Sequence, residues 1–281
     1  MGLYLFEIAP VLTAVGVLAG LGLVFGALLA FAAKVFRVKE DERLPAVTDA
    51  LPGANCGGCG YPGCAQYAAA IVQNDEKINL CHVCTDEQIA RIAAIMGKKP
   101  ESPVRMRALV RCSGTRKNAN LMYDYIGLDD CVSASILAGG MKECPYGCLG
   151  LGNCARACKF GAIKIEDGVA VVEYEKCTAC GQCVRTCPKG LIELIPYDKQ
   201  HWVGCISYDK GPLVRSYCKV GCISCRLCEK ACPTGAITVA DNVASIDYDK
   251  CTDCGKCVFV CPRHIIWSGE KQMEKGDTLI V

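Results

Sequence analysis

Hydrophobic and polar positions follow three different patterns along this chain. From Ile8 to Ala33, 26 consecutive residues carry no charge and are rich in Leu, Val, Ala and Gly. A helix of that length reaches about 39 Å, enough to cross a hydrocarbon core of about 30 Å with some tilt. The expected span is 8–36, with 1–7 as a short tip and 37–48 as a polar linker. Further on, apolar positions recur at helical spacing from Cys64 to Asn74 and from Thr85 to Met96, the second opened by a Thr85…Gln88 capping box. The third pattern is a short alternation that occurs twice, GAIKIEDGVAVVEYEKCTAC at 161–180 and GAITVADNVASIDYDKCTDC at 235–254. Each copy predicts a strand, a tight turn at Asp167-Gly168 or Asp241-Asn242, and a second strand.

The two copies are part of a longer repeat. Cys131, Cys144, Cys148, Cys154, Cys158, Cys177, Cys180, Cys183 and Cys187 each have a cysteine 74 residues later. Such a period marks a duplicated structural unit. The spacing C-x2-C-x2-C-x3-C-P appears at Cys177–Pro188, Cys222–Pro233 and Cys251–Pro262, and in altered form at Cys144, Cys148, Cys154 and Cys158. This is the run that binds [4Fe-4S] clusters in bacterial ferredoxins, where the fourth cysteine ligates the other cluster of a pair. The expected fold class is therefore α+β: one N-terminal transmembrane helix, a small helical [4Fe-4S] domain over 49–97, then tandem ferredoxin-like modules over 131–197 and 205–268. A basic connecting segment (98–130) and a tail (269–281) complete the division.

The crossed arrangement fixes most of the expected ligands. In the second module, Cys222, Cys225, Cys228 and Cys261 hold one cluster and Cys232, Cys251, Cys254 and Cys257 the other. In the first, Cys158, Cys177, Cys180 and Cys183 form one set. Leu151 stands where Cys225 has its counterpart, so the nearest cysteine, Cys144, is expected to join Cys148, Cys154 and Cys187. Cys158 precedes Lys159 rather than proline, a further departure from the pattern. The helical domain offers C-x2-C-x4-C-x16-C through Cys56, Cys59, Cys64 and Cys81, with glycines at 57, 58, 60 and 63 that free the backbone to fold around a cluster. That makes five [4Fe-4S] clusters. Cys84, Cys112, Cys131, Cys205 and Cys218 have no cluster in this scheme. Structural zinc is the competing occupant, and a disulfide scaffold is disfavoured by the spacing.

Charge adds orientation. Lys34, Arg37 and Lys39 follow the apolar span, whereas Glu7 precedes it, so the N-terminus is expected outside and the cluster domains in the cytoplasm. That compartment also keeps thiols reduced. Lys98 to Lys117 holds seven basic residues against one acidic, a candidate surface for docking an acidic partner such as reduced ferredoxin. Nucleic acid is not expected, because no stacking aromatics interleave with those charges. Gly58-x-Gly60-x2-Gly63 imitates a dinucleotide loop, but cysteines interrupt it and no strand pattern precedes it. No phosphate-binding loop, flavin motif or catalytic triad is evident, and His82, His201 and His264 are scattered.

The combination of an N-terminal span, the ANCGGCGYPGCAQYAAAIV domain and C-terminal ferredoxin repeats resembles the RnfB family of the Rnf complex. This complex is an ion-translocating ferredoxin:NAD+ oxidoreductase, and the SoxR-reducing complex is its close relative. The resemblance covers essentially the whole chain. It implies an electron carrier, taking electrons from reduced ferredoxin and relaying them toward flavin- and NAD-carrying partner subunits. Na+ or H+ movement then belongs to other membrane subunits. Two further readings stand beside it: a polyferredoxin arm that serves a reductase of a redox-sensing regulator, and a zinc-stabilised scaffold.

Overall fold

A computed structural model describes residues 3–35, 41–100 and 104–269. Arg37, Lys39 and most of the tail lie outside the described residues. The chain divides into two units, Met1–Leu44 and Pro45–Val281. The first unit is dominated by α1 (Leu3–Val35). Its stretch Leu12–Val35 has a mean hydropathy of 2.4 and exposes its apolar side chains, as a helix apolar all round does when its solvent is lipid. It is the one described helix long and apolar enough to cross a membrane.

Part of the expected linker is itself helical. α2 (Arg43–Ala50) turns Val47 and Ala50 inward. The helical domain follows with α3 (Cys64–Gln73) and α4 (Asp86–Met96). Asn55 Oδ1 accepts from the Cys64 amide at 2.8 Å and so meets one of the free N–H groups at the start of α3. Thr85 and Gln88 form the expected capping box. Tyr67, Ile71, Ile89 and Ile92 are fully buried between the helices. The Tyr67 hydroxyl donates to Lys77 O (2.6 Å) and accepts from the Leu80 amide (3.1 Å), which fixes the approach to Cys81.

The first ferredoxin-like module starts earlier than the repeat suggested. β1 (Met106–Val110) forms inside the segment read as a connection. Next come α5 (Cys131–Ile136), α6 (Asn153–Ala157), β2 (Ile163–Glu166), β3 (Val169–Val172), α7 (Gln182–Thr186) and β4 (Ile192–Pro196). β1 pairs antiparallel with β4, Val110 opposite Ile192, and β2 pairs with β3. The second module repeats this plan with β5 (His201–Val203), α8 (Gly211–Tyr217), α9 (Leu227–Ala231), β6 (Ile237–Ala240), β7 (Val243–Ile246), α10 (Lys256–Val260) and β8 (Ile266–Ser268). β5 pairs with β8, Val203 opposite Ile266, and β6 with β7. Both hairpins turn where expected. Asp167, Gly168, Asp241 and Asn242 all have positive φ, as a two-residue hairpin turn requires.

Each module has its own hydrophobic cluster, and Trp202 joins the two. Trp202 of β5 is fully buried in the hydrophobic cluster of the first module, edge-on to Tyr174 at 5.9 Å. The Arg107 guanidinium lies 3.9 Å from the Tyr174 ring centroid and 5.3 Å from that of Trp202, and it donates to Lys199 O. Arg111 pairs with Glu193 at 3.3 Å and donates to Cys205 O and Ala244 O across the seam.

These contacts narrow the stretch of basic residues open to a docking partner. Arg105 stacks on Tyr197, Arg107 is buried, Arg111 joins the modules, and Lys98 pairs with Asp75 at 2.8 Å. Arg107 and Arg111 are thereby taken up by the joint between the modules, whereas Lys98 is partly exposed in a surface pair. Lys99, Arg105, Arg116 and Lys117 remain exposed.

Candidate iron–sulfur centres

Four loops of the two modules have the same unusual backbone. Positive φ occurs at Gly150 and Gly152, at Ala179 and Gly181, at Ser224 and Arg226, and at Asp253 and Gly255. In each loop these positions come second and fourth after the first cysteine, and the residue after them starts a one-turn helix. Alternating left-handed residues curl the chain so that successive amides point to the inside of the loop, a nest for a negatively charged group. Ala, Ser, Arg and Asp hold this conformation at about 1–3 kcal/mol each, a strain that persists where the surroundings and a bound group require it. The loop around Leu151 keeps the shape although it has lost a cysteine.

Three of these loops line cavities with cysteine walls. Cys158, Cys177, Cys180 and Cys183 surround one, and Cys222, Cys225, Cys228 and Cys261 another, each the set expected from spacing. The third is lined by Cys131, Cys148, Cys154 and Cys187. Here the structure differs from the expectation: Cys131, at the start of α5, takes the place given to Cys144. The Cys131 amide donates to Asn153 Oδ1 at 2.8 Å, and Asp130 caps α5 and also accepts from Asn153, which seats Cys131 beside the loop. Proximity in sequence had pointed to Cys144, and nothing in the spacing singles out a residue on the far side of it. The fourth loop brings Cys251, Cys254 and Cys232 close enough to Cys257 that their thiolates would repel charge on it.

Amides and sulfurs meet throughout. Ala108 N donates to Cys177 Sγ (3.3 Å), Ala162 N to Cys158 Sγ (3.3 Å) and Leu191 N to Cys187 Sγ (3.5 Å). Such bonds orient ligand sulfurs and tune the metal they hold. Burial pushes the thiols of Cys148, Cys183 and Cys228 up to about 12 and those of Cys154 and Cys257 to about 11. A buried thiol ionises only when positive charge arrives, so metal loading would release protons.

In the helical domain, Cys56 and Cys81 lie near Cys59, and Cys59 and Cys64 near Cys84. The Cys84 thiol hydrogen-bonds to Cys81 and holds it down to about 6, while its own ionisation is pushed far up. Cys84, left over by spacing, is therefore a donor to an expected ligand. This domain sits against the first module. Gln182 Nε2 donates to Cys56 O (2.6 Å), Arg185 Nη2 to the same oxygen (3.2 Å), and Lys159 Nζ to Ala54 O (3.2 Å). Gly58 is pressed so close to Cys180 that a Cβ there would stand 2.8 Å from Cys180 O.

The donor set fits cubanes better than single ions. All 25 cysteines are free thiols. Among the described residues, no three His, Cys, Asp or Glu side chains form a group that could hold one metal ion. Around zinc, with Zn–S bonds of about 2.3 Å, four sulfurs crowd together, whereas the corners of a cubane hold theirs farther apart. Thiol-lined cavities with inward-facing amides match the latter.

Curled loops, paired hairpins and crossed cysteine sets define a multi-cluster iron–sulfur protein of the bacterial ferredoxin class. The family comparisons agree. An Fe-S cluster family matches residues 51–83, a 4Fe-4S binding domain 170–193, and a 4Fe-4S dicluster domain 221–265. A relative from Acetobacterium woodii, the B component of its "Na(+)-translocating ferredoxin:NAD(+) oxidoreductase complex", is 48% identical over 96% of this chain and 81% of its own length. The corresponding component of the "Ion-translocating oxidoreductase complex" of Methanosarcina acetivorans is 43% identical over 91% of this chain and 97% of its own. One from Clostridium ljungdahlii, named as the proton-translocating counterpart, is 40% identical over 86% and 87%. The chain belongs to this family, the RnfB components of ion-translocating oxidoreductase complexes.

Proposed function

We propose that the chain is the electron-relay subunit of a membrane-bound ferredoxin:NAD+ oxidoreductase. Electrons from reduced ferredoxin enter it and leave toward flavin- and NAD-carrying partner subunits, and Na+ or H+ is moved by other membrane subunits. Five cubanes would be held by Cys56, Cys59, Cys64 and Cys81; by Cys131, Cys148, Cys154 and Cys187; by Cys158, Cys177, Cys180 and Cys183; by Cys222, Cys225, Cys228 and Cys261; and by Cys232, Cys251, Cys254 and Cys257. When bound, each takes up and gives up one electron.

The observation that carries this reading is that the sets adjoin. Cys56 lies beside Cys180 of the next set, and Cys183 of that set lies near Cys154 of the one after. The protein's own work is to hold the sulfurs, direct amides at them and exclude water, which shapes each potential. The described part of α1 between Leu3 and Ala33 carries one charged residue, Glu7 near its start, so it serves as an anchor and offers no ion path through the apolar span. Its basic flank supports a cytoplasmic side for the cluster domains.

The test is anaerobic iron and sulfide analysis with EPR during titration by reduced ferredoxin. Cubane signals that grow as ferredoxin is oxidised are expected. A colourless protein, or one that holds zinc, overturns the relay. Membranes lacking the chain should also lose ferredoxin oxidation coupled to a Na+ or H+ gradient. If only reduction of a redox-sensing regulator is lost, the arm belongs to another reductase.

A further inference from the structure

The cavity at the seam of the two modules is lined by four cysteines that the ferredoxin sets leave unused: Cys112, Cys144, Cys205 and Cys218. Its empty space, about 400 Å³, is close to the 390, 350 and 320 Å³ of the three cavities described above.

The strand pairing shows how these four are related. Arg111 N donates to Leu191 O and Gly204 N to Ile265 O, both at 2.8 Å, so the residue just after β1 corresponds to the one just after β5. Cys112 is therefore the structural counterpart of Cys205. Cys144 stands four residues before Cys148, as Cys218 stands before Cys222, which makes the second pair. Each module supplies one member of each pair. The sequence repeat hides this, because an insertion carrying α5 separates Cys112 from Cys144 and makes Cys131 the apparent match of Cys205.

We propose that Cys112, Cys144, Cys205 and Cys218 ligate a sixth [4Fe-4S] cluster that joins the two modules. The sulfurs are prepared as in the other sets. Cys148 N donates to Cys112 Sγ at 3.3 Å and Ser207 N to Cys205 Sγ at 3.4 Å, while the amides of Val220 and Gly221 face Cys218. Burial raises the thiols of Cys144 to about 11 and Cys205 to about 12. Loading forms four Fe–Sγ bonds and releases four thiol protons to solvent. The site lies between the modules' own sets, since Cys112 accepts from Cys148 on one side and Cys205 from the Cys222 amide on the other. It rests on the relay reading above and supplies the link between the modules.

The experiment counts iron and sulfide in the full-length chain, reconstituted anaerobically in detergent with ferrous iron and sulfide, and weighs the wild-type protein by native mass spectrometry. About 24 iron and 24 sulfide are expected, against about 20 of each without the seam cluster. Cys112→Ala/Cys218→Ala should lose about one sixth of the iron and keep the other EPR signals. A wild-type mass with 20 iron, or with one zinc at these cysteines, overturns the proposal while leaving the relay intact. Absence of iron altogether overturns the relay itself. The wild-type mass decides the matter even if the double variant does not fold.

Discussion

The two ferredoxin-like modules share a backbone plan but not a ligand plan. In the second module, the loop around Cys225 provides three thiols in C-x2-C-x2-C spacing, and Cys205 is left to face the seam. In the first, Leu151 replaces the middle thiol, and an inserted helix brings Cys131 to the same cavity. Both loops nevertheless keep their pair of left-handed residues. The loop backbone is thus more restrictive than the identity of the residue that supplies the thiol. A cavity needs four sulfurs at its walls, and any element that reaches the wall can deliver one.

The sharpest way to break this comparison is to remove the thiols in question. Cys131→Ala should cost the first module a cluster, or convert it to a three-iron form, and Cys225→Ala should do the same in the second; EPR and iron content measure both. Cys144→Ala should leave the signal of the Cys148 set in place. If Cys144→Ala abolishes that signal and Cys131→Ala spares it, the assignment from spacing was right.

Trp202→Ala tests whether the modules stand or fall together. Its side chain belongs to the second module by sequence and to the first by packing, so its loss should destabilise the body by about 3–5 kcal/mol in denaturant unfolding. A smaller effect confined to the second module's signals would mean two independent cores.

Lys142 distinguishes the modules electrostatically. Its ammonium is buried, donating to Gly114 O (2.6 Å) and Gly168 O (3.1 Å), and it lies near Cys148. Its counterpart in the repeat is Ser216, which is neutral. A nearby positive charge favours the reduced, more negative form of a cluster. Lys142→Met should therefore move the nearest potential to more negative values, by roughly 60 mV for each 1.4 kcal/mol of interaction lost. Redox titration followed by EPR reads the shift.

Cys84→Ser should have the smallest effect, with iron content unchanged, because serine keeps a donor toward Cys81. Loss of iron in this variant would make Cys84 a ligand.

Much of this was legible in the linear chain. The C-x2-C-x2-C-x3-C-P spacing identifies a cubane loop because three thiols on one curled segment are a local arrangement. The hairpin turns at Asp167-Gly168 and Asp241-Asn242 and the Thr85–Gln88 box are likewise local and formed where expected, and the apolar span is helical although its helix starts at Leu3, inside the expected tip. What depended on strands meeting across the fold was hidden. β1 pairs with β4 across more than 80 residues, and only that pairing brings Cys112 to the seam and draws Arg107 and Arg111 out of the basic stretch into the joint. Spacing records which residues a short loop can gather. The choice between Cys131 and Cys144 required knowing which wall of which cavity each one faces, and non-local packing decides that.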